Sequence, residues 1–137
     1  MNSEQRRILI DYRMERAKES AAAAQLLYEN KMLTSAMNRI YYSLFYAVQA
    51  LLVLKNVSFS KHGQVKGYFN KEFIKTGLLP IELGKFYNNT FEFRQKFDYV
   101  DFSIPESAVI FDYIQKAKSF ISQIEAYIQK TECQNIF

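Results

Sequence analysis

Ser35-Ala-Met-Asn-Arg-Ile-Tyr-Tyr-Ser-Leu-Phe-Tyr-Ala-Val-Gln-Ala-Leu-Leu-Val-Leu54 places apolar residues at Met37, Ile40, Tyr41, Leu44, Phe45, Val48, Leu51 and Leu52. Recurrence at steps of three and four is helical spacing. Tyr42, Tyr46 and Val53, with Ala47 and Ala50, carry apolar surface round the remaining sides. The stretch therefore reads as a central helix covered by neighbours on several faces. Asn38, Arg39, Ser43 and Gln49 interrupt it too often for a membrane span, which needs about 20 predominantly apolar residues.

Outward from this helix the remaining elements follow. Toward the N-terminus, a helix is expected from about Ser3 to Tyr28, its small residues Ala21 to Ala24 allowing a neighbouring backbone to come close. The connection Glu29 to Thr34 is short, so the two long helices should lie antiparallel, with Thr34 or Ser35 offering the N-cap oxygen. Toward the C-terminus, Val65, Phe69 and Phe73 at steps of four predict a third helix over about Lys61 to Thr76. Gly77 and then Pro80 supply its stop: glycine takes the left-handed cap cheaply, and proline cannot continue the helix. A fourth helix should start near Pro80 and carry Leu83, Phe86, Tyr87, Thr90 and Phe91 on one stripe that Arg94 continues. Ser103-Ile-Pro-Glu106 matches a capping box, predicting a fifth helix from Ser103. Its apolar positions run from Val109 to Ile128, and fraying is expected over Thr131 to Phe137.

The fold class is therefore all-α, a five-helix up-and-down bundle. Four Gly and two Pro in 137 residues leave long uninterrupted segments, and the length suits one domain over residues 1–137. Cys133 is the single cysteine, which excludes an intramolecular disulfide and a cysteine-rich zinc site. With the signal-peptide pattern absent from Met-Asn-Ser-Glu-Gln-Arg-Arg-Ile, the expectation is a cytoplasmic protein that does not enter a membrane. A formal charge of +4 suits an acidic partner such as RNA or a nucleotide, without naming one.

Chemistry-bearing motifs are few. There is no Gly-rich phosphate loop, no Gly-x-Ser-x-Gly elbow and no Glu-x-x-His pair, so neither cofactor nor metal is expected. His62 is the sole histidine and reads either as a helix-start residue or, with Lys61 and Lys66, as part of an anion site at a helix N-terminus. Tyr41, Tyr42 and Tyr46, with Asn38 and Arg39, put hydroxyls and a guanidinium on one helix, and such groups need polar partners or a wet cleft. They can hydrogen-bond across the bundle. Alternatively they join Arg94, Asp98 and Tyr99 in a polar cleft, where arginine would grip phosphate oxygens and tyrosine would stack on a base.

The helix Asn-Arg-Ile-Tyr-Tyr-Ser-Leu-Phe-Tyr-Ala (38–47), followed by His-Gly-Gln-Val-Lys-Gly-Tyr-Phe (62–69), Phe-Ile-Lys-Thr-Gly-Leu-Leu-Pro (73–80) and Phe-Arg-Gln-Lys-Phe-Asp-Tyr-Val-Asp-Phe (93–102), resembles the HEPN domain family. HEPN stands for higher eukaryotes and prokaryotes nucleotide-binding. The resemblance extends from about Arg13 to Ile128 and is to the small stand-alone prokaryotic branch. It implies a helical bundle, a homodimer, and a toxin-antitoxin-like pairing with a minimal nucleotidyltransferase.

Many members of that family are metal-independent ribonucleases marked by an arginine, four to six residues and a histidine. Arg94 matches the arginine, but positions 99 to 101 hold Tyr99, Val100 and Asp101. Without that histidine no group in the motif titrates near neutral pH to move the 2′-hydroxyl proton. Nucleotide or RNA binding, or inhibition through a partner protein, survives that loss, with the cleft of Arg94, Asp98 and Tyr99 as the candidate site and Arg39, Tyr42 and His62 as further candidates. The alternatives are a ribonuclease using Arg94 with Tyr99 or His62, and a non-catalytic helical adaptor.

Overall fold

The structure, a computed structural model, describes the backbone of residues 1–99 and 103–135 and the side chains of 1–97 and 103–133. Within these residues it is built from helices: α1 (Ser3–Glu29), α2 (Leu33–Leu54), α3 (His62–Phe69), α4 (Ile81–Tyr99) and α5 (Ser107–Asn135), with a π-helical turn, Asn70–Ile74, continuing α3. None of these helices is long and apolar enough to cross a membrane. α5 continues through Asn135, beyond Thr131.

α1 and α2 share the largest interface. Arg13 donates to the Gln49 carbonyl at 3.2 Å and Arg16 to the Tyr46 hydroxyl at 3.1 Å, so residue numbers rise on one helix as they fall on the other. The pair is antiparallel, as its short link requires. Ala17, Ala24, Ala36, Ala47 and Ala50 are fully buried, and their lack of side-chain bulk lets the two backbones approach. Arg7 with Glu132 and Lys18 with Glu125 then tie α1 antiparallel to α5, at 3.4 and 2.7 Å.

α2 is the spine of the core. Ile40, Tyr41, Leu44, Ala47, Val48, Ala50, Leu51 and Leu52 are each at most 2 % exposed, so the sequence's all-round apolar pattern corresponds to burial by α1, α4 and α5 together. The other walls come from Phe69, Phe73, Tyr87, Ile110, Ile114, Phe120 and Ile124. Phe120 of α5 meets Phe69, Phe86 and Tyr87 with ring centroids 5.9 to 6.2 Å apart, which locks α3, α4 and α5 at one level.

Three local expectations need correction. The α2 N-cap is Met32, and neither Thr34 nor Ser35 makes a capping bond, because Lys31 at φ 60° turns the chain into the helix two residues early. The third helix is not uniform: Lys75 N–H bonds the Asn70 carbonyl five residues back at 2.9 Å, which widens the helix to π geometry. Ser103 does not cap α5. That helix begins at Ser107, and the Glu106 carbonyl takes the Ile110 N–H at 3.1 Å, with Pro105 buried just before.

The stop after the π turn is as expected, with Gly77 at φ 78°. A second glycine matters for a different reason. A Cβ on Gly84 would lie 3.0 Å from Asn70 Oδ1 and from two carbons of Ile74, so α4 meets the π turn at a position where only hydrogen fits without a shift. Beside it Asn70 Nδ2 donates to the Lys66 carbonyl and to Asn88 Oδ1, both at 2.9 Å. This contact holds α3, and with it His62, against α4.

Candidate functional site

Tyr41 stands where α2, α3 and α4 meet. Its ring is buried, with centroids 5.9 Å from Phe45, 6.3 Å from Tyr87 and 6.0 Å from Phe91. Its hydroxyl lies 2.8 Å from His62 Nδ1, the first residue of α3. His62 is half-buried and also stacks on Phe45, at a centroid distance of 4.3 Å. From the other partner helix, the Arg94 guanidinium sits 4.5 Å from the Tyr41 ring centroid and 5.6 Å from that of Tyr42. Arg39, one turn before Tyr42 on α2, covers the Tyr42 ring at 4.9 Å.

Of the sequence-predicted residues, Arg94, Arg39, Tyr42 and His62 are thus brought together. The side chains of Asp98 and Tyr99 lie outside the described residues. Asn38 faces a groove with Leu27, Thr34 and Ser35. Tyr46 turns to α1, where Arg16 both donates to its hydroxyl and covers its ring at 5.0 Å. The residue that sequence reasoning underweights is Tyr41, which joins the arginine to the histidine. A helical stripe marks it as core, and nothing in its spacing shows that its hydroxyl reaches α3. Among the described residues no group of three or more His, Cys, Asp or Glu could hold a metal ion.

Burial dominates the electrostatics. It pushes the Tyr41 phenol up to about 12, only partly opposed by the positive Arg94 and by the neighbouring Tyr87 hydroxyl. Tyr87 is raised well above the ordinary phenol value, again mainly by burial. Both stay protonated at neutral pH, so Tyr41 can donate to His62 Nδ1, which leaves the His62 proton on Nε2. The Tyr87 hydroxyl lacks a well-aligned hydrogen-bond partner among the described residues, even though Tyr41 is its polar neighbour.

His62 itself is lowered, first by burial and then by the Arg94 charge. Its native pKa lies below the unfolded value of about 6.5, so between the two the unfolded chain holds more protons. This group's contribution to stability is therefore complete above about pH 6.5 and is lost as pH falls through the native value. Because the chain has one histidine, its imidazole proton resonance can be followed without assignment. It should titrate below about 6.5, and Arg94→Gln should move it up part of the way, since burial remains. A midpoint at or above the ordinary value would contradict this environment.

The comparisons with known proteins agree with the fold. Residues 10–129 match the family model described as HEPN domain. A UPF0332 protein of Thermotoga maritima is 49% identical over 121 residues, covering 88% of this chain and 92% of that protein. Two proteins of Methanocaldococcus jannaschii are also similar. "Putative toxin MJ0142" is 37% identical over 84% of this chain and 78% of its own length. "Putative toxin MJ0605" is 30% identical over 85% and 87%. The matched span takes in α2, α3 and α4 whole, the helices that carry Tyr41, His62 and Arg94, and on that ground the chain belongs to the HEPN domain family.

Proposed function

We propose that this chain is a toxin-like HEPN protein that holds an RNA or nucleotide phosphate at Arg94, above the tyrosines of α2, and acts in a pair with a minimal nucleotidyltransferase. The observation that carries the reading is the guanidinium held 4.5 Å from the Tyr41 ring, with Arg39 over the adjoining Tyr42. Two arginines beside the half-exposed Tyr42 ring combine phosphate affinity with a stacking face for a base. The toxin names of the two archaeal relatives support the biological role.

One observation favours a second reading, cleavage of the bound RNA. His62 lies close enough to Arg94 for that charge to lower its pKa, and in the tautomer whose Nδ1–H donates to the Tyr41 hydroxyl the free Nε2 can accept the 2′-hydroxyl proton while arginine steadies the phosphate.

The test is direct. Purified protein should bind fluorescein-labelled single-stranded RNA with an affinity that falls steeply with salt, and its expression alone should arrest growth that co-expression of a partner nucleotidyltransferase restores. Cleavage that persists in chelator and disappears in His62→Ala selects the second reading. Binding without cleavage selects the first. No RNA or nucleotide binding at low salt removes both.

A further inference from the structure

Arg16 of α1 repeats, on a neighbouring helix, what Arg39 and Arg94 do over Tyr42. Its guanidinium covers the Tyr46 ring at 5.0 Å and bonds the Tyr46 hydroxyl, while its other terminal nitrogen reaches the Tyr12 hydroxyl at 3.5 Å. Tyr12 is 56 % exposed, and Tyr46 and Tyr42 are half-exposed neighbours with centroids 5.9 Å apart. Side chains therefore follow one another without a break: Tyr12, Arg16, Tyr46, Tyr42, then Arg39 and Arg94.

We infer that this row is one continuous binding surface for single-stranded RNA, in which Arg16, Tyr46 and Tyr12 form a second subsite beside the one at Arg94. The inference rests on the RNA reading of Arg94 and adds the length and strandedness of the ligand. Three physical points support it. Cations alternate with aromatic faces, the pattern that grips a flexible strand through its phosphates and unstacked bases. Arg16 and Arg94 stand on either side of two neighbouring tyrosine rings, Tyr46 and Tyr42, so each cation has its own aromatic face. Of the acids on this stretch of α1, Asp11 and Glu15 line the groove toward α5 with Lys18, Glu125 and Glu132, which leaves Glu19 as the acid one turn from Arg16.

A structural account competes: Arg16 could only fasten α1 to α2. The two accounts differ in ligand-length dependence. Fluorescence anisotropy with AMP, a single-stranded hexanucleotide and a 12-base-pair RNA duplex should show the hexanucleotide bound most tightly. Arg16→Ala should weaken the hexanucleotide about tenfold and AMP less than twofold. Tyr46→Leu, which removes the ring that Arg16 covers, should behave as Arg16→Ala does. Melting temperatures of all variants show whether a loss is one of fold. Equal affinity for AMP and hexanucleotide, preference for the duplex, or an Arg16→Ala effect confined to melting temperature would each overturn the second subsite while leaving the Arg94 site intact. Failure of every ligand to bind wild-type protein would instead remove the underlying RNA reading.

Discussion

Tyr41→Ala is expected to lower unfolding free energy by about 3–5 kcal/mol, the usual cost of deleting a buried aromatic side chain. The ring is fully buried and touches Phe45, Tyr87, Phe91 and the Arg94 guanidinium, so its removal leaves a cavity shared by three helices. Urea unfolding should show an earlier midpoint at unchanged slope. Hydroxyl deletions separate the ring from its polar tip. Tyr41→Phe removes the partner of His62 Nδ1 and should cost about 1–2 kcal/mol, while Arg94 keeps its aromatic platform and RNA affinity stays near wild type. Tyr87→Phe should go the other way, neutral or stabilising by up to about 1 kcal/mol, because it removes a buried hydroxyl without a well-aligned partner. A Tyr87→Phe loss as large as that of Tyr41→Phe would mean that the Tyr41–Tyr87 contact is a strong hydrogen bond.

The same residue shows how far the sequence can be read. Helical spacing in 35–54 identifies α2 as central because apolar periodicity is a local property of the chain, and burial of Ile40, Tyr41, Leu44 and Leu51 follows from it. The turn at Gly77 was legible for a similar reason, since its left-handed conformation has a compositional signature. Capping was less so: Lys31 and Asn56 take positive φ without being glycine, and the first turn of α5 is closed on the Glu106 carbonyl, a group that any residue can supply. The π turn and the close approach at Gly84 arise from how α3 meets α4, and no window of either segment contains that information. For the site, Arg94 is identifiable as a cation continuing an apolar stripe, and the family motif points to it independently. That His62 approaches it from α3, through the hydroxyl of Tyr41, depends on packing between residues 21 positions apart. The Arg16–Tyr46 pair is hidden in the same way, because i,i+30 contacts have no sequence period.

Reversing or trimming the charge at position 94 should have the largest effect on ligand binding. A charge-assisted hydrogen bond is worth about 1.5–3 kcal/mol, so Arg94→Ala should weaken single-stranded RNA roughly ten- to 150-fold, and Arg94→Glu further, by adding repulsion. Loss of one phosphate contact should also flatten the dependence of log affinity on log salt by about 0.7. Arg94→Lys retains the charge but not the planar fork or its stacking on Tyr41, so affinity should fall between wild type and Arg94→Ala at a nearly unchanged salt slope. Stability gives the opposing measurement. The cation–π contacts with Tyr41 and Tyr42 are worth about 0.5–2 kcal/mol, which sets the expected loss in urea for Arg94→Ala. If Arg94 serves only to join α4 to α2, that loss will be present while RNA affinity and salt slope stay at wild-type values. That combination assigns the chain to the adaptor reading, because a phosphate site cannot lose its guanidinium without weakening its ligand.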